Sequence, residues 1–210
     1  MSPELAIFVA VVILIVGWFA LGTHINVRKG HRFLEWVQGG LPLLGEKTTL
    51  RWLGSSVVQL TIEKAHAPFR RAEVMIVLEP RDVPPLWLLS RLRGRRDLLI
   101  VRTELRSVPN VQVEILHSEA WSTRSIAQEV QQLQWQRASQ GTSPFHVYAL
   151  SPPNHVDELL STAACAGLSP VRIGVRRAGN ALEVQWQLSA EPSTPARAAF
   201  EAVRRIAEKV

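Results

Sequence analysis

Apolar residues run without interruption from Leu5 to Gly22, LAIFVAVVILIVGWFALG, 18 positions free of charge, amide or hydroxyl. At about 1.5 Å per residue a helix of that length covers roughly 27 Å, close to the hydrocarbon thickness of a bilayer. The pattern therefore predicts a transmembrane helix, with Leu5, Ile7, Val9, Val12, Ile15, Trp18 and Leu21 in the span. A buried core helix usually keeps a polar stripe, and this run is apolar on every face. A cleaved signal peptide finds a small-residue site in Ala20-Leu21-Gly22 but lacks the cationic stretch that should precede the apolar run, where Glu4 stands instead. An uncleaved signal-anchor is the expectation. Arg28, Lys29 and Arg32 follow the span, with His24 and His31 among them, and no Lys or Arg precedes it. The positive-inside bias then places the N-terminus outside and the rest of the chain in the cytoplasm, with Trp18 at the inner headgroup level.

Beyond the anchor the pattern shortens and alternates. Residues 24–38 read as a continuing helix whose Phe33, Leu34, Trp36 and Val37 would lie along the inner membrane surface, broken by Gly39-Gly40 and Pro42. Residues 48–63 contain Val58, Leu60 and Ile62 alternating with polar neighbours, the period of a half-buried strand, and Glu73–Glu79 is a short apolar run expected of a central strand. Pro84-Pro85 opens a short helix, LWLLSRLRG, closed by Gly94. DLLIVRTEL from Asp97 and VQVEILH from Val111 read as neighbouring strands, and Ser118–Gln140 as an amphipathic helix with a capping box from Ser125 to Gln128. The remainder predicts a strand from Phe145, a helix capped by Asn154, a hairpin of VRIGVRR and ALEVQWQL about Gly179, and a final helix from Pro195.

This order yields an α+β fold: an anchor over 1–24, a juxtamembrane segment over 25–47, a first α/β lobe over 48–140 and a second over 141–210. The second lobe reads β-α-β-β-α, five sixths of a ferredoxin-like unit, whose missing strand could come from the first. The halves share no residue-level repeat. Seven Trp and a 47% hydrophobic fraction exclude a disordered tail, and roughly 185 residues beyond the anchor suffice for buried cores.

Charge adds a class of partner. The net charge is +6, and of 24 basic residues Lys occupies only positions 29, 47, 64 and 209, leaving the rest to Arg, the side chain suited to bidentate phosphate contact. Arg91, Arg93, Arg95 and Arg96, joined to Leu86, Trp87, Leu88 and Leu89, form a segment with two readings. It is either an interfacial helix whose arginines meet anionic lipid headgroups, or the commoner arrangement in which Leu86, Trp87 and Leu89 enter the core and the arginines are solvated. Nucleic acid is a poor fit, because no helix-turn-helix, zinc module or aromatic RNA-binding signature accompanies the arginines.

Catalytic and metal signatures are wanting. Cys165 is the sole cysteine, which excludes an intramolecular disulfide, and its Ala-rich context suggests a packing residue. The histidines at 24, 31, 66, 117, 146 and 155 have no metal-ligand spacing. Gly40–Thr48 superficially resembles a phosphate-binding loop, but Glu46 displaces Lys47, Pro42 removes a donor and the flanking elements are wrong. No cofactor is expected. Glu79, Arg81 and Asp82 mark a strand end where a site could lie, although a salt-bridged turn is several times the commoner explanation of such residues. The expected function is thus a single-pass membrane protein with a cytoplasmic binding or scaffold domain, contacting the bilayer, anionic headgroups and a protein partner. The alternative is a membrane-tethered enzyme whose site is assembled from separate segments.

Overall fold

The computed structural model describes residues 2–138, 143–150, 155–164, 167–189 and 192–210. The first helix, α1, runs unbroken from Pro3 to Gln38, with Pro3 in its first turn and the Ser2 hydroxyl accepting the Leu5 N–H. The expected anchor and the start of the juxtamembrane segment are thus one helix. Its first half is exposed and apolar, whereas in its second half Gly22, Asn26, Gly30, Phe33, Leu34 and Val37 are buried at three- and four-residue spacing. Phe33, Leu34 and Val37, expected along the membrane surface, lie instead in the domain core. The two glycines let the helix approach closely. A Cβ at Gly22 would stand 2.2 Å from the Arg81 carbonyl oxygen, and one at Gly30 would stand 2.6 Å from the Trp52 indole.

The strands are β1 (Gly45–Trp52), β2 (Val57–Ala65), β3 (Phe69–Val77), β4 (Leu98–Leu105), β5 (Val113–His117), β6 (Gln136–Arg137), β7 (Phe145–Ala149), β8 (Ser169–Arg176) and β9 (Ala181–Gln187). They form one nine-stranded antiparallel sheet in the order β1-β2-β3-β4-β9-β8-β5-β7-β6, so strands of both expected lobes share a single sheet. The expected strand over 48–63 is a hairpin, turned between Leu53 and Ser56. β4 and β5 do not pair, because β9 occupies the position beside β4.

The remaining helices are α2 (Pro84–Leu92), α3 (Arg124–Gln132), α4 (Val156–Ala164) and α5 (Ala196–Lys209). α3 is much shorter than the expected 118–140 helix. Gln134 takes a positive φ of 59° that ends it, and Trp135 turns inward against Leu116, Val130 and Tyr148. The Ser125–Gln128 capping box is absent: Thr123 holds the cap position, and its hydroxyl bonds the carbonyls of His117 and Ala120. Asn154 and Cys165 lie outside the described residues, as does the end of the expected 118–140 helix.

The ferredoxin-like arrangement is not confirmed. β7-α4-β8 is a split β-α-β unit, but the strand between β7 and β8 is β5, whereas the hairpin partner β9 lies on the far side of β8. One sheet face packs against α1, α4 and α5 through Val58, Leu60, Val74, Ile76, Leu99, Val101, Ile173, Val184 and Trp186. Alternation along the strands sends charged and polar side chains to the opposite face, covered in part by α3.

Candidate functional site

The second half of α1 meets the ends of β3 and β4 through a buried polar network. Asn26, Glu79 and Asp97 are at most 3% exposed. Asp97 accepts two hydrogen bonds from the Arg81 guanidinium, both 3.1 Å, one from the Glu79 backbone N–H at 2.7 Å, and one from the Lys29 ammonium. The Asn26 amide donates to the Glu79 carbonyl at 3.1 Å and its oxygen accepts from Arg81 at 3.2 Å. Burial alone would raise the Asp97 pKa, but the hydrogen bonds from Arg81, Lys29 and Glu79 outweigh it and hold the carboxyl below its ordinary value. The group is therefore a fixed anion, without the raised pKa that would suit a general acid.

The Glu79 carboxylate extends this network into α2. It accepts from the Trp87 indole N–H at 2.9 Å and pairs with Arg91 and Arg81, each at 3.4 Å. Trp87 also faces Trp18 of α1, with ring centroids 6.3 Å apart, while the Trp18 indole donates to the Arg81 carbonyl at 3.0 Å. These contacts set α2 beside the end of the apolar span. Leu86, Leu88, Leu89 and Leu92 are exposed, Leu92 by 77%. The reading in which Leu86 and Leu89 enter the core is thereby corrected. Only Trp87 of that group turns inward, because its indole finds the Glu79 acceptor.

Leu5, Ile7, Val9, Val12, Ile15, Trp18 and Leu21 are all exposed along α1. Arg28, Arg32 and Arg93 are exposed and in no ion pair among the described residues. Lys29 and Arg91 are paired with Asp97 and Glu79. Arg95 lies over the Trp121 ring at 5.1 Å, and Arg96 donates to the carbonyls of Arg91 and Arg95. Asn26, Asp97 and Trp121 carry roles that the sequence reading missed. A signal existed for Asn26, since Gly22, Asn26 and Gly30 recur every four residues and mark one helix face.

Beside α2, at the same end of the sheet, a cavity of about 450 Å³ opens between the Gly94–Arg96 loop and the Glu119–Ser122 turn. Its walls carry Arg95, Arg96, His117, Glu119, Trp121 and Gln187, and Leu98 and Ile100 supply apolar floor. His117 packs edge-on against Phe145, and its Nδ1 accepts the Glu119 N–H at 3.3 Å.

A second ionic row crosses the polar face of the sheet. Fully buried Glu114 receives both Arg172 and Arg176, Arg172 also pairs with Glu183, and Glu183 pairs with Arg102. Gly174 makes room for the row, because a Cβ there would stand 2.7 Å from a Glu114 carboxylate oxygen. Burial would raise the Glu183 pKa, but the Arg172 charge, with Gln185 and Arg102, leaves it lowered. Every carboxylate in this row is matched by arginine, which makes the row a structural brace. No group of three or more His, Cys, Asp or Glu able to hold a metal exists among the described residues. No protein-family model and no curated protein matches this sequence.

Proposed function

We propose that this chain is a single-pass membrane protein, N-terminus outside, whose cytoplasmic domain is a binding or scaffold module held in a fixed attitude at the bilayer surface. The observation that carries the reading is the continuity of α1: its apolar, exposed first half is long enough to span a membrane, and its second half is locked into the domain by Asn26, Lys29, Arg81 and Asp97. Exposed Arg28 and Arg32 beside the inner end of the span support the orientation. The leucines of α2, beside Trp18, support a seat at the headgroup level, where an apolar face and flanking arginines are both accommodated. The binding-module reading is favoured over the enzyme because the buried carboxylates near the cavity are consumed by fixed cationic partners.

Fractionation of cells expressing the full chain tests this. The protein is expected to resist carbonate extraction, and a C-terminal reporter active only in the cytoplasm should be active while its periplasmic counterpart is not. Release by carbonate would refute the anchor. A C-terminus reporting from outside would refute the orientation.

A further inference from the structure

We propose that the cavity beside α2 binds the headgroup of an anionic phosphodiester lipid bearing a polyol, with the lipid's chains lying along the exposed leucines of α2. The proposal rests on the reading that α1 spans the membrane and adds a ligand to the end of the domain that faces it. At about 450 Å³ the cavity is of a size that takes small ligands. Its two arginines are positioned in advance: Arg95 is laid over the Trp121 ring, and Arg96 is tied to the carbonyls of Arg91 and Arg95. Neither is in an ion pair among the described residues, in contrast with Arg172 and Arg176 on the same sheet face. Arginine in this state favours a phosphate group, which accepts its planar pair of N–H donors.

The other polar walls narrow the class. Glu119 and Gln187 offer acceptors, and Ser122 and Ser169 offer hydroxyls. A polyol headgroup supplies hydroxyl donors for Glu119, whereas a bulky quaternary ammonium would meet two arginines. A singly charged phosphodiester also tolerates Glu119 better than a phosphate dianion does. Continuity with the span supplies the source: the loop that leaves α2 borders the cavity from Gly94 to Arg96, and Trp87 of α2 faces Trp18 of α1, so Leu88, Leu89 and Leu92 lie where acyl chains begin.

The test uses the full chain in phosphatidylcholine nanodiscs, titrated with short-chain phosphatidylglycerol, short-chain phosphatidylcholine or soluble glycerol phosphate, with bound lipid read by native mass spectrometry. Phosphatidylglycerol should bind saturably and phosphatidylcholine should not. Replacing Arg95→Ala and Arg96→Ala together should weaken phosphatidylglycerol about 25-fold, from roughly fivefold per arginine near a membrane surface. Trp121→Ala, which keeps both charges and removes the ring beneath Arg95, should produce a smaller loss. Equal binding of the two lipids, or unchanged affinity in the double variant, would overturn the proposal. Glycerol phosphate binding as tightly as the lipid would also overturn it, by assigning the site to a soluble anion. Carbonate extraction of the same preparations separates the two readings: release of the wild-type chain removes the anchor and this site with it, whereas retained protein that ignores phosphatidylglycerol removes this site alone.

Discussion

Replacing Asp97→Ala removes the acceptor on which the α1–sheet lock converges. Breaking a buried ion pair from one side costs about 3–5 kcal/mol, because the partner charge stays desolvated. Here Arg81 keeps the Glu79 carboxylate at 3.4 Å, and Lys29 loses its partner but keeps 24% exposure, so the lower end of that range applies, about 3 kcal/mol. The Glu79 N–H loses its acceptor as well, for about 1 kcal/mol more. A total near 4 kcal/mol corresponds to a fall in Tm of roughly 8–16 °C at this chain length. The assay is thermal unfolding of the full chain in detergent at a fixed scan rate, followed by circular dichroism. Asp97→Asn, which keeps one acceptor oxygen for the Glu79 N–H and Arg81 but turns the other into an NH2 donor and loses the charge, should fall between Asp97→Ala and wild type. Arg204→Ala, which breaks the surface Arg204–Glu208 pair in α5, is the control and should cost about 0.3–0.5 kcal/mol. An Asp97→Ala variant within 1 kcal/mol of wild type would refute the claim that this network holds α1 to the domain.

Four further outcomes follow from the same contacts. Gly22→Ala places a methyl group 2.2 Å from the Arg81 carbonyl oxygen, so α1 must shift, costing about 2–3 kcal/mol in the same unfolding assay. Gly174→Ala pushes against the Glu114 carboxylate and should cost about 1–3 kcal/mol, with the loss reduced when Glu114→Gln is already present. Asp97 and Glu183 have pKa values below their ordinary 3.8 and 4.5, so the stability they contribute is fully present above those values and drains away as pH falls below about 4. A Tm that rises between pH 5 and pH 3 would contradict this. Finally, a spin label on Leu92→Cys, in a Cys165→Ala background, should show oxygen accessibility typical of the lipid boundary, whereas a label on Arg204→Cys should show aqueous accessibility.

Much of the fold was legible because it is written in local period. The β8–β9 hairpin follows from alternation about Gly179, and Leu182, Val184, Trp186 and Leu188 are all buried as that alternation requires. Strand order is a different kind of information. β4 pairs with β9, some 80 residues away in sequence, because both carry apolar side chains on the face that α1, α4 and α5 cover, and no local signal records that partnership. The 118–140 helix was overestimated for a related reason: Ile126, Val130 and Leu133 keep helical spacing, but Trp135 is drawn against Tyr148, a contact that period alone does not contain.

The candidate site was half legible, and the missing half changes what its charges mean. Read along the chain, Arg28, Lys29 and Arg32 form one basic flank, and Arg91, Arg93, Arg95 and Arg96 another. In the fold, Lys29 points to Asp97 and Arg91 to Glu79, two carboxylates 18 residues apart in sequence that meet where β3 ends and β4 begins. Those two cations are neutralised within the domain and contribute to holding it together. Of the two flanks, Arg28, Arg32, Arg93, Arg95 and Arg96 are the cations in no ion pair among the described residues. A helix of 36 residues is about 54 Å long, so α1 reaches from the span well across the sheet as one rod. Turning that rod by a single residue, about 100°, would take Asn26 from the Glu79 carbonyl and press a side chain into the gap that Gly22 leaves at Arg81. The lock therefore fixes a rotation as well as a contact, and with it the side of the α1 axis on which the edge carrying α2 and the cavity sits.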